Sequence, residues 1–174
     1  QNEEIHIKVN AIHRLRTVIL SIGLDETIAT LIPYIDGKLI LLLIDFNELI
    51  KSEDDEVLFA VAEELGKVFP LIPDKTVFLP SLETLAKQDE TVVREQAAKS
   101  LTTISENLSD AEIQNVFAPL VIKLAQGEWF TGRVSSCQLF FPCYSKSGPQ
   151  KEKLRKKFIE LCNEDTPMIR RACA

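Results

Sequence analysis

An all-α superhelix of stacked helical hairpins is the fold this sequence predicts, and three observations predict it. The first is a frame of residue types that recurs along the chain. In residues 88–101 an acid, Asp89, is followed by the pair Val93-Arg94, then by the small Ala97 and the large apolar Leu101. The frame fits again on Glu53, Val57-Leu58, Val61 and Leu65, on Glu128, Gly132-Arg133, Ser136 and Phe140, and on Asp165, Ile169-Arg170 and Cys173. A weaker copy is Glu3, Ile7-Lys8, Ala11 and Leu15. The second is the spacing, since the starting acids stand 50, 36, 39 and 37 residues apart. Self-similarity with a period of about 20 to 50 residues marks a stacked-repeat protein, and HEAT and armadillo arrays lie near 40. The third is that apolar residues recur at helical intervals, with no sustained strand alternation between turn dipeptides.

Taken in order, residues 5–21 read as a helix with Ile5, Val9, Ile12, Leu15 and Ile19 on one stripe, stopped by Gly23. Asp25 is placed to cap a second helix through Ile28, Leu31, Ile32 and Ile35. Residues 36–47 break the period, and removing about 12 residues there restores the spacing of the other repeats. Residues 39–44 are apolar on all sides, yet far too few to cross a bilayer. Three readings stay open: a helical extension through Ile50, which we favour, an extra buried segment or loop, or a stretch without an evolved role. A helix over 55–69 follows, with Val57, Val61, Leu65 and Val68 inward, and Pro70 and Pro73 bracket a link. The next, 75–87, carries Val77, Phe78, Leu82 and Leu85, with Pro80 expected to bend it or end its first turn. Helix 89–106 carries the master frame. Ser109 and Glu112 form a capping box opening helix 110–125. Gly127 ends that helix, and 128–144 supplies its partner. Residues 147–149 are a loop, 150–162 a helix, and Pro167 suits the first turn of the last helix. A single array over 1–174 is therefore expected, with repeats near 1–22 (partial), 24–70 with the insertion, 73–106, 109–144 and 147–174 (partial). Neither end reads as a polar capping repeat, so a longer array is expected.

Composition narrows the function. Net charge is −6, which argues against a general nucleic-acid or membrane-surface binder. The one basic cluster, Lys151, Lys153, Arg155, Lys156 and Lys157, alternates with Leu154 and Phe158 and reads as a solvated helix face. Cys137, Cys143, Cys162 and Cys173 show no metal-binding spacing and sit in apolar patterns, as expected of a reduced, intracellular protein. His6 and His13 lie seven apart without a third ligand, so no metal or cofactor is expected. Phosphate loop, GxSxG elbow and HExxH are all absent from the sequence, and the paired acids Asp54-Asp55 and Glu63-Glu64 read as solvated faces. An enzyme is not expected.

The turns joining the two helices of each hairpin line one edge of a stack. Asp89 with Arg94, Glu128 with Arg133, and Asp165 with Arg170 are suited to bridge neighbouring turns, a role that holds repeats together. Trp129-Phe130 places two large aromatics at a turn tip, where they either tuck into the stack or anchor a partner. Met168, after Asp165, Thr166 and Pro167, adds an adaptable apolar side chain. Acids at residues 53–56 and 89–90 complete a ridge fit to receive another protein.

Several of these stretches resemble a known family. Glu90-Thr91-Val92-Val93-Arg94, Gly127-Glu128-Trp129-Phe130-Thr131 with Arg133, and Asp165-Thr166-Pro167-Met168 followed by Arg170-Arg171-Ala172 are similar to inner turns of the scaffold (A) subunit of serine/threonine protein phosphatase 2A. Residues 56–66 resemble its second repeat, and only 36–47 lack a counterpart. The resemblance implies a non-catalytic horseshoe of HEAT repeats with a cytoplasmic and nuclear location. It implies that the amino-terminal repeats receive a variable regulatory (B-type) subunit through Glu90, Trp129, Phe130, Asp165, Thr166, Pro167 and Met168. The catalytic subunit is implied to dock on carboxy-terminal repeats not present in this chain. The competing expectation is another HEAT-type adaptor, in transport or translation.

Overall fold

A helix leaves its first N–H groups without partners; here Asp54 and Ser109 supply capping side chains, while Pro80 and Pro167 stand in first turns with no N–H to satisfy. In a computed structural model, which describes residues 2–23, 54–72, 74–76 and 78–174, helix α1 runs Asn2–Ile22. It ends at Gly23, whose φ of 82° is left-handed, a conformation that costs glycine least. Ile12, Leu15 and Ile19 of the expected stripe are buried, and Ile5 and Val9 pack against the core at its edge. Helix α2, Asp55–Val68, is capped by the Asp54 carboxylate, which accepts the Glu56 N–H at 3.1 Å. The expected helix from Asp25, the insertion at 36–47, Glu53, Pro73 and Val77 lie outside the described residues.

Helix α3 is Leu79–Leu85 and α4 is Thr91–Asn107. The expected helix over 75–87 thus starts late. Pro80 sits in the first turn of α3, where its missing N–H costs nothing. Ahead of it the Asp74 carboxylate takes the Thr76 N–H and hydroxyl at 2.9 and 2.7 Å and holds a separate turn. Helix α5 is continuous in three pieces, Asp110–Glu112, Ile113–Phe117 and Ala118–Ala125, opened by the Ser109/Glu112 capping box. Its middle piece is a π turn in which the Ala118 N–H reaches back to Ile113 O. Pro119 follows directly and has no N–H for the Asn115 carbonyl, so the ladder widens where it would otherwise break. Helix α6 is Phe130–Tyr144, α7 is Lys151–Cys162 and α8 is Pro167–Ala172. On α7 the basic side chains Lys151, Lys153, Arg155 and Lys156 are exposed around a buried Leu154, the solvated face expected.

Two layers result. Helices α1, α2, α4, α6 and α8 pack one on the next, and α3, α5 and α7 form the second row. Each hairpin, α3–α4, α5–α6 and α7–α8, packs internally and against its neighbour, so one core runs from Ile12 to Ile169. The described part is an all-α stack of helical hairpins. Between α2 and α4 the backbones come close: a Cβ on Gly66 would meet Ser100 Oγ at 2.5 Å and Ser100 Cβ at 2.9 Å. The approach lets the buried Ser100 hydroxyl donate to Ala62 O at 2.7 Å.

Candidate functional site

The turns between paired helices are built by one repeated device. Arg94 Nη1 donates to Gln88 O at 2.8 Å and Asp89 O at 3.0 Å. Arg133 Nη1 donates to Gly127 O at 2.6 Å and Glu128 O at 2.5 Å. Arg170 Nη1 donates to Glu164 O at 2.6 Å and Asp165 O at 2.8 Å. Each arginine, one turn into its helix, folds back to collect the carbonyls that the turn leaves unpaired, groups a helix end must otherwise surrender to water. The recurring position of the arginine in the frame has this origin. The pairing expected between carboxylates and guanidinium groups takes another form, because the side chains of Asp89, Glu128 and Asp165 are exposed and the arginines bind backbone oxygens instead.

The turns are tied to each other by different residues. Thr131 Oγ1 donates to Lys87 O at 2.9 Å and Ser135 Oγ to Ala86 O at 2.7 Å, fastening the start of α6 to the turn at 86–90. Gly132 lies against that turn too, where a Cβ would come 3.3 Å from Lys87 Cγ. Arg133 then uses its remaining nitrogens on Glu164, with Nε at 3.1 Å and Nη2 at 2.9 Å from Oε1. Glu164 Oε1 also accepts the Thr166 hydroxyl at 3.1 Å. Turns 86–90, 126–129 and 163–166 are thereby joined into one rim. Thr131, Ser135 and Glu164 fall outside the frame, and the sequence marked none of them as a tie between turns. Their partners are backbone carbonyls or a residue 31 positions away, which no local spacing signals.

On this rim the apolar side chains face outward. Trp129 is 75% exposed, Met168 56% and Phe130 37%. Trp129 and Thr166 are the cap residues of α6 and α8, in extended backbone that throws them off the helix axis. Glu90 caps α4 without a side-chain bond to its own helix, so its exposed carboxylate is free of local duty. Val92 is also 53% exposed, beside the buried Val93, and extends the apolar contribution of the first turn. Asp165 and Pro167 are exposed and Thr166 half-buried. The ridge therefore presents carboxylates, a thioether and two aromatics, groups suited to contact with another protein.

Charge below the rim is paired across repeats. Burial by itself raises the Glu83 carboxyl, but the ammonium groups of Lys87 and Lys123 outweigh it and hold Glu83 below its ordinary value. Lys123, on α5, reaches Glu83 of α3 at 2.9 Å. Glu63 and Glu64, read from sequence as a solvated face, divide: Glu64 is 4% exposed and interacts with α1 through His13 Nδ1 at 3.1 Å. His13 and the two carboxylates bring ligand atoms within 4.8 Å of one another, the company that spacing did not reveal. Lys67 already lies across both carboxylates at 3.0 and 2.9 Å within α2, and the His13 contact ties this cluster to α1.

Helical hairpins stacked side by side, with their turns laced into a rim of exposed side chains, define a HEAT-type repeat protein. No family model matches the chain. Over its whole length its sequence is similar to the 65 kDa regulatory, or scaffold, A subunits of serine/threonine-protein phosphatase 2A. It is 39% identical over 178 residues to the human A beta isoform, covering 100% of this chain and 28% of that protein. The Drosophila melanogaster 65 kDa regulatory subunit is 36% identical over 178 residues, and the Dictyostelium discoideum scaffold subunit 34%. The chain spans 28% or 29% of the length of these relatives. No helix among the described residues is long and apolar enough to cross a membrane.

Proposed function

We propose that this chain is the docking part of a non-catalytic scaffold for a serine/threonine protein phosphatase. Its laced turns bind the variable regulatory (B-type) subunit through Glu90, Trp129, Phe130, Asp165, Thr166, Pro167 and Met168. The catalytic subunit docks on repeats of the longer scaffold outside this stretch, and the assembly works in the cytoplasm and nucleus. The observation that carries the reading is the outward exposure of Trp129 and Met168 on turns held rigid by Arg133 and Glu164. A rigid platform loses little side-chain and loop freedom on binding, which is where association energy otherwise goes. The names of the relatives favour this reading over a transport or translation adaptor.

The test is binding of a purified regulatory subunit to wild type, Trp129→Ala and Met168→Ala by calorimetry, with circular dichroism to check the fold. Each truncation is expected to weaken binding by about 1–3 kcal/mol with helical content unchanged, as for ordinary anchor residues. Equal affinity for all three proteins overturns the assignment of the ridge.

A further inference from the structure

Three of the four cysteines meet where α6, α7 and α8 pack. Cys137 Sγ lies 3.4 Å from Cys173 Sγ, and the Cys162 thiol borders Cys173 as well. Cys137 is buried, while Cys162 and Cys173 are half-buried. The contact follows from the repeat register. Ser136 and Cys173 occupy the same slot of the frame in successive hairpins, and α6 packs on α8. Cys137 stands one residue past the slot on α6, and its sulfur meets that of Cys173, the cap residue that ends α8.

We infer that Cys137 and Cys173 are a dithiol that hydrogen peroxide closes to a disulfide, stapling two successive repeats beneath the docking ridge. Cys173, the more exposed thiol, reacts first. Its thiolate sulfur attacks one peroxide oxygen, the O–O bond breaks, and hydroxide leaves to take up the thiol proton as water. The Cys137 sulfur, losing its own proton, then attacks the Cys173 sulfenic sulfur, the S–O bond breaks and a second water departs. Two thiols and one peroxide thus give one disulfide and two waters. The pair is 36 residues apart in sequence but already in contact, so closure needs only a small approach of the sulfurs. Burial pushes both thiols above the ordinary range, and for Cys173 the neighbouring Cys137 thiol adds to the rise. The reaction is therefore slow near neutral pH and quickens about tenfold per pH unit, following the thiolate fraction. Because residues 163–166 lead directly into α8, the staple also fixes Met168 relative to Trp129.

The native protein is exposed to hydrogen peroxide at a dose that oxidises free glutathione completely. Remaining thiols are alkylated, and the protein is cut with trypsin without reductant. The expected product is the peptide of residues 134–146 joined to the peptide that begins at Ala172, with a higher midpoint of thermal unfolding that dithiothreitol reverses. Cys173→Ala removes both effects, and Cys162→Ala keeps both. The inference is overturned if Cys137 and Cys173 are both alkylated after peroxide or if Cys173 links to Cys162 instead. Over-oxidation of Cys173 beside a free Cys137, or a link between two molecules only, overturns it equally.

Discussion

Arg133 carries two loads at once, the carbonyls that close its own turn and the carboxylate of the next. A guanidinium serves both because its five donors stand in a fixed plane, whereas a lysine ammonium is a point charge on a flexible stem. Arg133→Lys is expected to lose about 1–3 kcal/mol of stability in urea unfolding, the cost of a charged hydrogen-bonding group with partners left unmet. Glu164→Gln removes only the cross-turn link and should cost less. Glu83 supplies a second prediction at this scale. Its carboxyl titrates below its ordinary 4.5 in the folded chain and near it in the unfolded one. The stability it contributes is complete above that value and is lost as pH falls through the folded one. Thermal unfolding of wild type and Glu83→Gln between neutral pH and pH 3 should therefore converge on the acid side of about 4.5. A gap that stays constant with pH contradicts the role given to Lys87 and Lys123.

Helices were legible in sequence because their apolar stripes repeat at the helical period, and the Ser109 box and Gly23 announced their ends correctly. Three features were not. The start of α3 moved because Pro80 stabilises a first turn as readily as it breaks a later one. The π turn before Pro119 has no pattern of its own. Glu64 looked solvated because its burial is decided by His13 on another helix, 51 residues away. On the ridge, the outward residues were legible as large apolar side chains at turn tips. The laces of Thr131, Ser135 and Glu164 were not, since a hydroxyl bonded to a distant carbonyl leaves no spacing. Gly66 belongs to the same category: its need for space comes from Ser100 on α4. Gly66→Ala is expected to destabilise by about 1–3 kcal/mol, because the added methyl overlaps Ser100 and pushes two backbones apart. Adding Ser100→Ala should recover part of that loss, and a double-mutant cycle in urea measures the coupling. Strict additivity of the two changes would show that the helices are not in the contact described.

In a solenoid each repeat touches only its neighbours, so stability is a sum of repeat terms and interface terms, and cooperativity survives only while the interfaces outweigh the weakness of the repeats. The interface between the α3–α4 and α5–α6 hairpins is a sensitive place to test this. It relies on the α4–α6 packing, on Lys123 at Glu83, and on the two hydroxyls of Thr131 and Ser135 at the turn. Thr131 and Ser135 are nearly inaccessible, at 2% and 1% exposure, so removing their hydroxyls leaves carbonyls that water reaches poorly. Thr131→Val with Ser135→Ala keeps the volume close to the original while cutting both laces, at about 1 kcal/mol each by ordinary hydrogen-bond energetics. The larger effect is expected in the shape of the transition. Once the interface term falls toward the repeat term, the hairpins on either side unfold separately, and the urea slope drops as the cooperative unit shrinks. Hydrogen exchange should then show faster opening of α5–α8 than of α2–α4 in the double mutant, against a common rate in the wild type. If the mutant unfolds in a single transition with an unchanged slope, the turns are ornaments on a core that couples the repeats alone. The rim of exposed side chains would then owe its rigidity to the packed helices beneath it.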